Sequence, residues 1–425
     1  MTVEQTWQIE AVAELKATRI DGCRACGSHD LLPVLDLGDQ PLANGLRAAR
    51  DLDRPEPRFP LALVRCESCS LVEILDSVPP EALFGDYPYF SSVIKALVAH
   101  AHALAVENTD RFDLGPDSLV VEIASNDGYL LQHYRDAGIP ILGVEPARNI
   151  APVARERGIP TRCEFFGSEV AQQMVAEGIQ PDVVHAHNVL AHVPELGSFV
   201  DGLRTLLQGG GVGVVEVPYV KNLIDDCEFD TIYHEHLCYF SLTAIDRLLR
   251  LHRLELERVE RIAIHGGSLR LFIRAAGRAR PDGTARALLE EEEEWGVDEP
   301  GAYREFGDAV MAMKSSLRAM LEELKRDGAR IAAYGAAAKG STLLNTFEIG
   351  AETLDFVADA SPHKQGHYMP GTALEVRPPE ALVDERPDYV LLLAWNFADE
   401  ILAQQHAYRA GGGRFIVPVP EPHVV

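Results

Sequence analysis

Leu119-Val120-Val121-Glu122-Ile123-Ala124, running into Ser125-Asn126-Asp127-Gly128, is the stretch on which the reading of this chain turns. A short apolar run rich in β-branched residues reads as a strand buried on both faces. The polar turn after it ends in a glycine that permits close backbone approach by a ligand before a helix begins near Tyr129. The pattern repeats in Ile141-Leu142-Gly143-Val144-Glu145, in Asp182-Val183-Val184-His185-Ala186, and in Gly213-Val214-Val215-Glu216-Val217, closed by Pro218. Such runs, separated by amphipathic helical stretches, build a parallel sheet covered by helices. Glu145 stands 23 positions after Glu122 (145 − 122), where an acid in a doubly wound fold hydrogen-bonds ribose hydroxyls. The first turn lacks the full G-x-G-x-x-G pattern, which disfavours a dinucleotide and points to a smaller nucleoside cofactor.

A second sheet of this kind is expected near the C-terminus. Arg330-Ile331-Ala332-Ala333-Tyr334 reads as a strand, and Gly335 to Ser341 as a small-residue turn entering a helix whose N-terminal amides, with Lys339, suit a phosphate. Asp359 follows a second short strand, and Tyr389 to Trp395 is a third, running into Asn396. Two sheets imply two nucleotide-sized sites facing a shared cleft. Between them, the acidic run Glu290 to Glu294 reads as a solvated helix face. Phe306, Val310, Met313, Leu317, Met320 and Leu324 recur at helical spacing, as in a helix packed on the following domain.

With 425 residues, the chain exceeds what one core sustains, so two or three domains are expected. A net charge of −26 repels phosphate backbones and argues against a nucleic-acid partner. No apolar run approaches the roughly 20 residues that cross a bilayer. The opening Met1-Thr2-Val3-Glu4-Gln5 lacks the basic head and apolar run of a secretory signal, so a cytoplasmic location is expected.

Cys23-Arg24-Ala25-Cys26 and Cys66-Glu67-Ser68-Cys69 are two C-x-x-C knuckles. Four thiolates so spaced can surround one zinc ion tetrahedrally once the intervening residues fold back as strands or a loop, and four leave no open coordination position. A structural zinc is therefore expected, not a catalytic one. Cys163, Cys227 and Cys238 stand alone and are expected to pack in the interior.

The densest chemical constellation is Tyr233-His234-Glu235-His236. Histidine removes and returns protons near neutral pH, a neighbouring Glu can polarise the ring, and a Tyr hydroxyl can donate to an oxygen that gains charge. Proton abstraction beside a ketone needs this equipment; metal binding is a weaker reading, since the H-E-x-x-H spacing is absent. His187, Asn188 and His192 lie just beyond a strand's carboxyl end, where open α/β folds display ligand contacts. Tyr87 and Tyr89 precede a helix that Ser91 or Ser92 would cap.

Glu122-x-x-x-Asn126-Asp127-Gly128 resembles motif I of class I methyltransferases, with Glu145 at the ribose position. Over nearly the whole chain the sequence resembles the sugar C-methyltransferases that act on TDP-linked 4-keto-6-deoxy sugars in antibiotic pathways. The segments that carry this are Leu37 to Asn44, Glu122 to Gly128, Asn188 to Val193, Tyr233 to His236 and Tyr334 to Asn345. The resemblance implies an α/β protein with a zinc module over 1–85, a class I methyltransferase Rossmann-like domain over 86–277 and a Rossmann-like domain over 278–425. It implies S-adenosylmethionine as cofactor, held by Glu122, Ser125, Asn126, Asp127, Gly128, Glu145 and Asn188. His236 would remove the sugar C-3 proton with support from Glu235, while Tyr233, Tyr87 and His192 line the reacting centre. Ser268 or Arg270, in His265-Gly266-Gly267-Ser268-Leu269-Arg270, together with Lys339 and Asp359, would hold the nucleotide-sugar. No obligate protein partner is implied. The rival readings are a nicotinamide-dependent oxidoreductase and a zinc-containing RNA-binding methyltransferase.

Overall fold

The structure, a computed structural model, describes residues 16–85, 87, 90–264 and 266–425. Tyr89, His265 and the opening residues Met1 to Gln5 lie outside the described residues. Near the N-terminus, Leu31–Pro41 (β1), Arg58–Cys66 (β2) and Val72–Ile74 (β3) form an antiparallel sheet. Leu35 and Leu37 of β1 turn inward while Asp36 and Gly38 face solvent, the alternation of a half-buried strand. The insert between the two knuckles is thus two strands and their loop, and it brings the knuckles together at one end.

Next come the helix Lys95–Arg111 (α1) and a seven-stranded sheet. Its strands in chain order are Val120–Ile123 (β4), Ile141–Val144 (β5), Thr161–Arg162 (β6), Val183–His187 (β7) and Val212–Pro218 (β8). Cys238–Tyr239 (β9) leaves this sheet to pair antiparallel with β3 of the N-terminal unit. The helix Leu242–Leu251 (α2) then leads to Leu254–Ile262 (β10) and Ser268–Ala275 (β11). The order across the sheet is β10-β11-β8-β7-β4-β5-β6, with β11 alone antiparallel to its neighbours. The order reverses between β4 and β7, so the crevice at their carboxyl ends is the place for a ligand. Val120, Val183, Val214 and Phe272 pack one face, and Val121, Val184, Ala186 and Val215 the other.

The helices Thr284–Trp295 (α3) and Gly301–Arg326 (α4) join the two sheets. The acidic run in α3 is not wholly a solvated face: Glu292 is fully buried and its carboxylate accepts the backbone N–H groups of Leu242 and Thr243, each at 2.7 Å. Those amides open α2 and have no partner within the helix, so an acid carries both the hydrogen bonds and the favourable dipole contact. The apolar stripe of α4 buries Tyr303, Phe306, Val310, Met313, Leu317 and Leu321. The helix reaches beyond the following domain and packs on β1 as well. There the Arg65 guanidinium lies over the Tyr303 ring, and a Cβ at Gly307 would stand 2.8 Å from the Val34 carbonyl.

The last sheet has order β14-β13-β12-β15-β16-β17, built from Ile331–Tyr334 (β12), Val357–Ala358 (β13), Val376–Arg377 (β14), Tyr389–Leu392 (β15), Arg414–Val417 (β16) and His423–Val424 (β17). Its first helix is Ala338–Phe347 (α5). Among the described residues no helix is long and apolar enough to cross a membrane. Two local expectations fail. Cys163 is exposed, unlike Cys227 and Cys238, because it follows the edge strand β6, where no element covers it. Ser91 and Ser92 do not cap α1, whose N-cap is Ile94; they bind the cofactor loop, as described below.

Glu292→Ala leaves two buried amides without a partner. It is expected to cost about 2–4 kcal/mol, from the typical worth of bonds to charged groups, read as a lower urea midpoint. An unchanged midpoint contradicts this role.

Candidate active site

The cofactor crevice starts from Glu122, the buried third residue of β4. Burial, then the nearby charges of Glu145, Asp127 and Glu216, hold its carboxyl well above the usual carboxylate range. The chain after β4 winds through positive φ at Ala124 (56°), Asn126 (48°) and Gly128 (82°). At Gly128 a Cβ would also stand 2.5 Å from the Ile159 side chain, so glycine is required there on two counts. Glu145 beyond β5 braces this loop. Its carboxylate accepts the Asn126 N–H at 2.9 Å and the Ala147 N–H at 2.8 Å.

The Asn126 and Asp127 side chains are engaged within the protein. The Asn126 side-chain oxygen accepts the Ser91 N–H at 2.9 Å, and the Asp127 carboxylate takes the Ser92 hydroxyl and Arg157. The two side chains hold Ser91 and Ser92 against the loop after β4. Glu122 Oε2, Ser125 Oγ and Asn188 Oδ1 are buried without a hydrogen-bond partner among the described residues. Buried polar atoms in folded proteins are paired, and three of them beside a switch point fit a ligand with amino and hydroxyl donors such as S-adenosylmethionine.

The Tyr233 to His236 segment alternates between two surroundings. His234 is buried toward the N-terminal unit, its Nε2 3.2 Å from the carbonyl oxygens of both Phe59 and Pro60 and its ring edge-on to Phe59. His236 faces the other way, its ring centroid 4.1 Å from Tyr233 and 5.0 Å from His192. Phe84 sits against both His192 and Tyr87, so the rings of Tyr233, His236, His192 and Tyr87 are gathered in one place. Glu235 was expected to support the His236 ring; one bond that orients the ring is to the Thr231 carbonyl, 2.9 Å from Nδ1. A carbonyl only accepts, so Nδ1 carries the hydrogen and Nε2 keeps the lone pair. His192 is set likewise by the Glu235 carbonyl, 2.5 Å from its Nδ1. The Glu235 carboxylate instead accepts from Asn44 Nδ2 at 3.0 Å. Desolvation holds the Tyr233 hydroxyl far above its ordinary range, so it stays a donor.

Cys23, Cys26, Cys66 and Cys69 meet with all four sulfurs within 4.8 Å of one another. Sγ separations of 3.5 Å for Cys23–Cys69 and 3.6 Å for Cys26–Cys66 are close to the roughly 3.8 Å edge of a tetrahedron with zinc–sulfur bonds of about 2.3 Å.

Comparison with known proteins agrees with this layout. Residues 23–84 match a zinc binding domain family, 97–259 a methyltransferase domain family and 263–420 a family described as the C-methyltransferase C-terminal domain. The C-methyltransferase NovU of Streptomyces niveus is 37% identical over 409 residues, 96% of this chain and 97% of that one. The chain belongs to this C-methyltransferase family. Two solved methyltransferases are more distant. Magnesium protoporphyrin IX methyltransferase from Synechocystis PCC 6803, with bound SAM, is 16% identical over 42% of this chain and 79% of its own, at a TM-score of 0.32. CcbJ from Streptomyces caelestis is 17% identical over 42% and 90%, at a TM-score of 0.33. The chain is thus an α/β protein of the C-methyltransferase family, with a methyltransferase domain and a four-cysteine zinc-binding module.

The residues expected to hold substrate are more scattered. The Arg270 guanidinium is committed to Glu216 at 2.7 Å and Glu260 at 3.2 Å, with His100 beside it, and the Ser268 hydroxyl donates to the Ile264 carbonyl at 3.0 Å. At the second sheet, Asp359 takes the Ala336 N–H at 2.7 Å and the Ser361 N–H at 2.8 Å. That repeats the brace Glu145 supplies in the first sheet, and it sets a negative charge where the helix start was expected to receive phosphate. The Lys339 ammonium lies 4.2 Å from the centre of the Trp395 ring, whose Nε1 donates to Asp230 at 2.7 Å. Asp230, Glu228 and Trp395 were not anticipated, since nothing in their local sequence ties 228–230 to residue 395.

Burial pushes Glu228 up to about 7 and Asp230 up to about 6, against the pull of Lys339. A carboxyl raised on folding favours the folded state at low pH. For Glu228 that contribution is complete below its ordinary value of 4.5 and is lost as pH rises through about 7. Glu228→Gln is therefore expected to match the parent's melting temperature near pH 4.5 and to exceed it by pH 8. A difference independent of pH contradicts the assignment.

Proposed function

We propose that this C-methyltransferase methylates C-3 of a nucleotide-linked 4-keto-6-deoxy sugar, with TDP as the nucleotide, through an enolate formed by His236. The observation that carries the reading is the hydrogen bond from His236 Nδ1 to the Thr231 carbonyl, which leaves Nε2 as the basic nitrogen beside Tyr233 and His192. The family membership supplies methyl transfer to carbon, and carbon must be made nucleophilic before it can accept a methyl group.

In this reading His236 Nε2 takes the C-3 proton, and the C–H electron pair moves into a C-3 to C-4 double bond as the C-4 oxygen gains charge. Tyr233 donates to that oxygen. A donor so placed contributes about 3–4 kcal/mol of transition-state stabilisation. S-adenosylmethionine, which Glu122, Ser125 and Asn188 would hold, would supply an electrophilic methyl on a positively charged sulfur. Carbon–carbon bond formation at C-3 would restore the ketone as the sulfur–methyl bond breaks, its electron pair staying on sulfur so that S-adenosylhomocysteine leaves, and His236 releases its proton to solvent. Lys339 and Asp359, at the carboxyl end of β12 and β13, are assigned to the nucleotide end, Asp359 as an acceptor for ribose hydroxyls and Lys339 as a positive charge. The reading requires neither a nucleic-acid nor a protein partner and fits a cytoplasmic enzyme.

Incubation of TDP-4-keto-2,6-dideoxyglucose with the enzyme and S-adenosylmethionine should add one methylene by mass spectrometry. His236→Ala should lower turnover by about 10²-fold or more, the usual scale for loss of a general base, while calorimetry shows the same affinity for S-adenosylmethionine. Parent-like turnover in that variant overturns the role of His236, and absence of any mass gain with the parent overturns the substrate class.

A further inference from the structure

The N-terminal zinc unit reaches the reacting centre through one side chain. Asn44 lies three residues beyond β1, in the loop that joins it to β2, and its Nδ2 donates to Glu235 Oε1 at 3.0 Å across 191 positions of sequence. Glu235 is 4% exposed, and its second oxygen has no partner among the described residues. Asn44 is therefore the side-chain donor to this carboxylate among the described residues. Around it stand Tyr233 and Tyr239, both hydroxyls held protonated by desolvation, and His192 bonded to the Glu235 carbonyl. Of these, Asn44 alone comes from outside the methyltransferase domain.

We propose that Asn44 is a positioning residue for the reaction, which fixes the Glu235 carboxylate, and through the Glu235 backbone the His192 ring, beside His236. The proposal rests on the proton-abstraction reading above and adds to it that the zinc unit is part of the catalytic apparatus. Asn44 is the side-chain donor to this buried carboxylate, beside the backbone N–H of Glu235 itself, and losing it loosens the side chain and disfavours its charge. Burial already raises the Glu235 carboxyl, and the Asn44 N–H draws it back down. The zinc site, at the opposite end of β2 from the Phe59 and Pro60 carbonyls that hold His234, keeps the loop with Asn44 in register.

The test uses the full-length zinc-loaded enzyme. Asn44→Ala should lower kcat about tenfold at neutral pH, with zinc content and the KM for S-adenosylmethionine unchanged, and should move the acid limb of the kcat/KM profile to higher pH. Asn44→Asp, which keeps the size of the side chain and faces one carboxylate with another, should move that limb further. In the pair Asn44→Ala and Glu235→Gln, turnover should equal that of Glu235→Gln alone, since the first residue acts through the second. Multiplying losses in the double variant, or an unmoved acid limb in both single variants, overturns the proposal. A parent-like Asn44→Ala beside an impaired Glu235→Gln sinks the role of Asn44 alone, whereas parent-like His236→Ala and Glu235→Gln sink the proton-abstraction reading and this inference with it.

Discussion

The structure depends on a short antiparallel pairing between units far apart in sequence. Cys238 and Tyr239 lie opposite Glu73 and Val72, the Ile74 N–H reaches the Leu237 carbonyl at 3.0 Å, and His234 spans the carbonyls of Phe59 and Pro60. These bonds are buried, so each lost partner would leave an unsatisfied backbone group. The segment between them, Tyr233 to Leu237, is thereby held at both ends by the N-terminal sheet. Glu235 and His236 sit where they do because the zinc unit and the methyltransferase domain share that stretch of backbone.

Buried acids perform much of the bracing elsewhere. Glu145 and Asp359 each accept two backbone N–H groups, one from the loop after the first strand of its sheet and one two residues further on. Glu292 does the same for a helix start. Glu216 gathers Arg270 and His100 beside the first sheet, and His187, His100 and Arg270 together hold its carboxyl below the usual range in spite of burial. Carboxylates so placed satisfy amides that would otherwise be stranded, and part of the excess of 65 acidic over 39 basic residues is interior architecture.

The framework was largely legible in the sequence. β-branched runs located β4, β5, β7 and β8 to within a residue or two, and the paired C-x-x-C knuckles located the zinc module, because both signals are local in the chain. The side-chain partners were not legible. Asn126 and Asp127 read as cofactor contacts from their motif, and their bonds to Ser91 and Ser92 appear only once the folded chain brings those residues near. Arg270 read as a substrate contact and is spent on Glu216 and Glu260. Asn44 lay inside a segment already singled out, yet its contact is 191 residues away, and no periodicity or spacing encodes such a pairing.

The central claim is that His236 Nε2 is the base that opens the way to carbon methylation, and exchange of the substrate's own hydrogen tests it without the methyl-transfer step. The enzyme would be incubated in D2O with S-adenosylhomocysteine and TDP-4-keto-2,6-dideoxyglucose, and the C-3 hydrogen followed by proton NMR. The account predicts that this signal fades with the parent enzyme and persists with His236→Ala. Equal fading with both proteins, or a persistent signal with a parent enzyme that methylates the same sugar, would contradict it.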